Sequence, residues 1–174
     1  MAKIRESINY EQMFSEVAHS WEPNEDSLTK YILQHGITHV LSVEGRNHVN
    51  DMLRDLHYVA HMIKHCTEII AVHRQIRLYG LDEWCEFAID ESSRASLDAL
   101  SVDLVVTICD FTRKSFVRST SNVKLHEYCL KRAQQENISA KEMTRHIMNL
   151  GSVYMNFGLT NPLYFDKAEI LFSE

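Results

Sequence analysis

The spacing of apolar positions along the chain is dominated by steps of three and four, the signature of helices that bury one face. Met13, Phe14, Val17 and Trp21 form the first such set, over Tyr10 to Trp21, with Asn9 and Gln12 as capping residues and Pro23 ending the run. A second run begins at Asn24 and places Leu28, Tyr31, Ile32 and His35 on one face, and Gly36 stands where a helix C-terminal glycine belongs. Residues 37 to 46 depart from the pattern: Ile37, Val40, Leu41 and Val43 read as a short strand or as an apolar connector.

From Asn47 to Tyr79 the periodicity is strongest, with Met52, Leu56, Val59, Ile63, Cys66, Ile70 and His73 separated alternately by four and three residues. This predicts one long amphipathic helix, which Gly80 ends or kinks. A shorter helix follows from Leu81 to about Glu91, and Ser92, Ser93 and Arg94 read as a loop. The segment Leu97 to Phe116 has a β-branched centre, but its flanks favour a buried helix. Asn122 is the expected cap of a helix through about Gln135. Ser139 with Glu142 forms a capping box that opens another helix, running to Asn156. A turn at Gly158, Asn161 and Pro162 leads to a terminal segment from Leu163 to Phe172. The expectation is an all-α fold: a single helical domain over residues 1–174, a bundle of six or seven helices organised around the long helix at about 47–79. Dimerisation is expected through that helix or the C-terminal one.

Composition supports this picture and narrows the function classes. Five glycines and two prolines in 174 residues are too few for an all-β chain, which needs turn residues every eight to twelve positions. The formal net charge of −6 repels a phosphate backbone, and the clearest basic run, Arg113 and Lys114 with Arg118, is short, so nucleic acid is not the expected partner. No stretch reaches the eighteen apolar residues of a membrane span, and the N-terminus lacks the apolar core of a signal peptide. Cys66, Cys85, Cys109 and Cys129 occupy apolar helical stretches with no C-x-x-C pair, which reads as buried free thiols in a reducing compartment. A cytoplasmic location is the expectation.

Three features carry possible chemistry. His57, His61 and His65 recur every fourth residue on the long helix, a spacing that can present two imidazoles to one transition metal; a polar flank beside the apolar seam is the preferred explanation. Glu83 and Glu86, then Asp98 and Asp103, place carboxylates on two consecutive helical segments. Oxygen donors so arranged are how an all-helical protein holds Mg²⁺. Met143, Ile147, Leu150, Tyr154 and Phe157 form an apolar stripe, assigned first to core packing, with any exposed remainder a docking or dimer surface.

The run from Arg77 through Glu83 and Glu86, followed by Leu97-Asp98-Ala-Leu-Ser-Val-Asp103, resembles the all-α, MazG-like nucleoside triphosphate pyrophosphohydrolases over roughly residues 50 to 135. The resemblance implies an E-x-x-E helix and a following E-x-x-D helix around Mg²⁺, release of pyrophosphate from nucleoside triphosphates, and a homodimer. It assigns Glu83, Glu86 and Asp103 as metal ligands and Asp98 as a fourth ligand or base. Arg74, Arg77 and Lys131 would meet phosphate oxygens, on charge alone. The position three before Asp103 is Leu100, and Asp98 lies five before it, about 500° around a regular helix, so the second motif departs from the family pattern. The alternative is a non-catalytic helical protein that binds or inhibits a partner protein.

Overall fold

A computed structural model describes residues 27–43, 46–65, 76, 80–136 and 138–173. The chain is all-α: among the described residues there are nine α-helices, one 3₁₀ turn and no strand. They are α1 (Ser27–Val43), α2 (Arg46–Arg54), α3 (Leu56–His65), α4 (Leu81–Ile89), α5 (Arg94–Ala99), α6 (Val102–Lys114), α7 (Thr120–Gln135), α8 (Ala140–Gly158) and α9 (Leu163–Ser173), with the 3₁₀ turn Glu91–Ser93 before α5. The amphipathic segment Tyr10–Trp21 lies outside the described residues.

Three elements differ from the sequence-based expectation, each for a local physical reason. Residues 37 to 43 are neither strand nor connector, because α1 passes through Gly36 without ending. Leu33, Ile37 and Val40 are all buried, so continuing the helix places one more turn of apolar side chains in the core. The long helix expected over 47–79 is interrupted at Asp55. The Asp55 carboxylate accepts the Tyr58 backbone N–H at 3.1 Å, so Asp55 caps the N-terminus of α3 while the heptad-like spacing continues across the break. The expected helix from Leu97 to Phe116 is likewise two pieces, separated where Leu100 adopts an extended backbone and Ser101 opens α6.

Two apolar clusters hold these helices. The larger joins α1 through α7 and contains Ile37, Leu53, Tyr58, Met62, Trp84, Leu97, Val105, Ile108 and Leu125. Trp84 is fully buried, and its indole N–H donates to the Leu53 carbonyl at 2.8 Å, linking α4 to the C-terminal end of α2. The smaller cluster holds α8 and α9 against α7 through Val123, Leu150, Val153, Tyr154 and Ala168. The expected stripe of α8 thus serves packing: Leu150 and Tyr154 are buried, and Phe157 packs against them.

Caps fix the remaining ends. Ser119, rather than Asn122, caps α7, accepting the Asn122 N–H at 3.2 Å, and the Asn122 amide donates to the Val117 carbonyl at 3.0 Å. The Ser139–Glu142 capping box of α8 forms as the sequence predicts. Between α8 and α9, two glycines seven residues apart meet two phenylalanines seven residues apart in antiparallel register. The Phe172 ring sits where a Gly151 side chain would be, and the Phe165 ring sits where a Gly158 side chain would be.

His126 is a buried polar exception within α7, its ring Nε2 3.3 Å from the Thr112 hydroxyl. Burial holds its pKa down at about 4 from an ordinary 6.5, with Asp110 opposing that shift and Arg113 and His146 adding to it. Between those two values the unfolded chain binds more protons than the folded one. Stability is therefore fully present above pH 6.5 and declines as pH falls toward 4, by about 3 kcal/mol from this residue. Urea melts of wild type and His126→Gln at pH 7 and pH 4.5 check this. Gln keeps a partner for Thr112 but cannot titrate, so the variant should lose less stability on acidification. The half-buried His61, whose pKa is also lowered to about 4 by burial, leaves a residual slope.

The glycine register gives a second test. Gly158→Leu should push Phe165 off α8 and cost about 2–3 kcal/mol in thermal unfolding, as overpacked sites do. Thr144→Leu, on the exposed face of the same helix, should stay within about 0.5 kcal/mol of wild type.

Candidate functional site

The carboxylates singled out in the sequence occupy helix ends. Glu83 lies in the first turn of α4, and its carboxylate folds back over Gly80, whose φ of 102° is one that favours glycine. A carboxylate there faces the positive end of the helix dipole. Glu86 is exposed one turn further on. Asp103 is exposed in the first turn of α6, again the favourable end for a negative charge.

Asp98 is the exception, because it stands in α5 next to the helix C-terminus, where an anion is disfavoured. Two side chains from α7 offset this. The Tyr128 hydroxyl donates to Asp98 Oδ1 at 2.5 Å. The Arg132 guanidinium donates to the Asp98 carbonyl at 3.1 Å and the Leu100 carbonyl at 3.2 Å, capping the exposed end of α5, and pairs with Glu136 at 2.8 Å. Burial first, then the bond to Asp98, pushes the Tyr128 phenol up and keeps it a donor. Lys131, expected on charge alone to meet phosphate oxygens, is exposed on α7 beside Arg132. Arg74 and Arg77 lie outside the described residues.

No three of the predicted carboxylates come together as a group that could hold a metal ion, nor do any three His, Cys, Asp or Glu side chains among the described residues. His61 and His65 stack with ring centroids 6.0 Å apart, half-buried on α3. A groove of about 230 Å³ runs between α3 and α6, lined by Ile63, Lys64, Thr107, Asp110, Phe111 and Lys114. That is below the ~300 Å³ at which small-molecule pockets begin. Its one carboxylate is already engaged, since Asp110 accepts from Arg145 and, at 2.8 Å, from the Asn149 amide.

The C-terminal hairpin presents a different kind of site. Gly151 and Gly158 draw α9 close to α8, which brings two aromatic rings into line with apolar side chains that the core does not use. Met148 and Met155 are the i−3 and i+4 neighbours of Gly151 and so share its face of α8, Met155 is also the i−3 neighbour of Gly158, and Leu159 follows Gly158 directly. Met148, Met155, Leu159 and Phe172 are 53%, 47%, 64% and 47% exposed. These four side chains make up the apolar ridge of the hairpin, with Met148 and Met155 seven residues apart on α8.

Polar contacts tie the base of the ridge to α7. The Tyr154 hydroxyl donates to Glu127 at 2.7 Å, and burial, reinforced by that carboxylate, raises its pKa. Lys167 lies 4.7 Å from the Tyr164 ring centroid and 3.8 Å from Glu127, tying α9 to α7. The sequence signal for this surface was the seven-residue spacing shared by Gly151–Gly158 and Phe165–Phe172; reading Gly158 only as a turn residue hid it.

Among the described residues no helix is long and apolar enough to cross a membrane. No protein-family model matches the chain, and no match to it was found among curated proteins or among solved structures.

Proposed function

We propose that this chain acts by binding another protein, and that an amphipathic helix of the partner docks along the ridge formed by α8 and α9. The observation that carries the reading is the apolar exposure itself: four bulky apolar side chains, Met148, Met155, Leu159 and Phe172, are left about half exposed on two helices that Gly151 and Gly158 draw together. Contiguous apolar surface of this kind on a folded domain marks an interaction site. Met148, Met155 and Leu159, spaced by seven and four, match a helix laid alongside, whose own apolar positions recur every three and four. Two of the four are methionines, whose unbranched side chains repack around different partner residues.

A photo-crosslinker placed at Met155 of the full chain tests this in the cells that make it. One crosslinked protein should form, and Met148→Glu with Leu159→Glu should abolish it while shifting the unfolding midpoint little, because both positions face solvent. A crosslinker at exposed Lys124 on α7 should yield no such product. Crosslinking only to a second copy of the chain would replace the partner with a homodimer, and unselective crosslinking would remove the reading.

A second reading rests on Glu83 and Glu86, exposed one turn apart on α4 in an all-helical protein, the setting the resemblance to MazG-like pyrophosphohydrolases calls for. In it a Mg²⁺ ion held by Glu83, Glu86 and Asp103 would release pyrophosphate from a nucleoside triphosphate, with Asp98 as base. Pyrophosphate release measured over ribo- and deoxyribonucleoside triphosphates, with and without Mg²⁺, decides it. Under this reading Glu86→Gln and Asp103→Asn each abolish metal-dependent turnover without unfolding the chain; absence of turnover on every substrate eliminates it.

A further inference from the structure

Apolar residues occupy two opposite sides of α9, and only one side has a place in the fold. On the inner side Phe165 and Phe172 lie over the glycines of α8, Ala168 is buried, and Tyr164 and Leu171 join the smaller cluster. Leu163 and Ile170 each stand two residues before one of those rings, about 200° round the helix, and so point away from α8. They are 69% and 60% exposed. Apolar residues on both sides of a helix mark one that is covered on both. The outer side also carries a charge on each flank. Asp166 and Lys167 lie between Leu163 and Ile170, about 50° to either side of the line that joins them, and both are exposed. The Lys167 ammonium is held on its flank, 3.8 Å from Glu127 of α7 and 4.7 Å from the Tyr164 ring centroid.

We propose that two copies of this chain pair in parallel through this outer face of α9, Leu163 on Leu163 and Ile170 on Ile170, with Asp166 of each copy beside Lys167 of the other. The placement of charge selects both the occupant and its direction. About a two-fold axis parallel to α9, like apolar residues meet at the centre, and the anionic flank of each copy lies along the cationic flank of the other. An antiparallel pair instead sets Asp166 beside Asp166 and Lys167 beside Lys167. The face is therefore self-complementary in one direction only. Dimerisation through the C-terminal helix is one of the two expectations drawn from the sequence, and the exposed face gives it a direction and a register.

Because the contact is isologous, every exposed side chain on the face is used twice. The contact is still only two turns of one short helix, so the dimer forms and dissociates with concentration. The charges fix direction and register more than affinity, since exposed ion pairs contribute little on their own. The face lies on the far side of α9 from α8, which leaves Met148 and Met155 of the ridge uncovered. A partner helix that ran on from the ridge over α9 competes with the second copy for Leu163 and Ile170.

Sedimentation equilibrium of the full chain over a concentration series should show the mass rising from that of one chain toward that of two. Ile170→Glu should raise the dissociation constant about tenfold or more, with little change in the unfolding midpoint because the position faces solvent. Asp166→Lys should raise it severalfold at low ionic strength and much less in concentrated salt, which screens the like charges. Direction is read by cysteine pairing under mild oxidation, with linked peptides mapped by mass spectrometry. In Ile170→Cys the two copies should link through position 170, and in Leu163→Cys through position 163. A mixture of the two variants should give few links between 163 and 170. The mass of a single chain at every concentration overturns the proposal, and so does a mixture that links 163 to 170 in preference to like with like. Neither result bears on the partner at the ridge, which is read at Met155.

Discussion

The Trp84 indole on the Leu53 carbonyl is the contact on which the arrangement of the main bundle depends. A bundle of short helices has many ends, and each end leaves backbone carbonyls or N–H groups without intrahelical partners. The interruption at Asp55 puts such an end beside the core, where water does not reach it. Trp84 answers with the largest fully buried side chain among the described residues and a single donor aimed at that end. A phenylalanine there would fill most of the volume and leave the carbonyl unpaired, a cost of about 1–3 kcal/mol. The same logic recurs at α5, where Arg132 rather than an indole supplies the donors.

Periodicity made most of the fold legible and concealed its breaks. The apolar faces of α3, α6, α7 and α8 are all visible as steps of three and four in the sequence. What the pattern does not encode is where a helix stops, because Asp55 and Leu100 interrupt the backbone without interrupting the spacing of buried side chains. Asp55 is a strong cap by residue type, but a cap is used only where the bundle needs a bend. Gly36 is the converse: a residue suited to ending a helix was overruled by Ile37 and Val40, both of which the core accommodates.

The carboxylates of the candidate site are legible in the sequence for a related reason, and the string alone fits two descriptions. A carboxylate in the first turn of each of two consecutive helices is what dipole compensation selects, and it is also what an acidic metal motif looks like when written as a string. Glu83 and Asp103 meet the first description directly. The difference between the two lies in whether the helix N-termini point at one another, which is a property of packing and not of spacing. The ridge on α8 and α9 shows the opposite case. Its seven-residue repeat was present in the sequence, but glycine carries no hydropathy signal, and only the packed rings of Phe165 and Phe172 give Gly151 and Gly158 their meaning.

Magnitudes constrain what such a ridge can do. Fully burying a Leu, Phe or Met side chain is worth about 1.5–3 kcal/mol, so covering four that are already half buried yields roughly 3–6 kcal/mol. A micromolar complex needs about 8 kcal/mol after the loss of translational and rotational freedom has been met. The ridge alone therefore supports only weak, rapidly exchanging contact. Under the proposed binding role a specific partner would extend beyond it, and α9 offers the surface: Leu163 and Ile170, seven residues apart, are exposed, as are Asp166 and Lys167 between them. A partner helix that crosses from the methionines of α8 onto this second face would add two large apolar anchors and a pair of opposite charges. The charges would fix its direction and register more than its affinity.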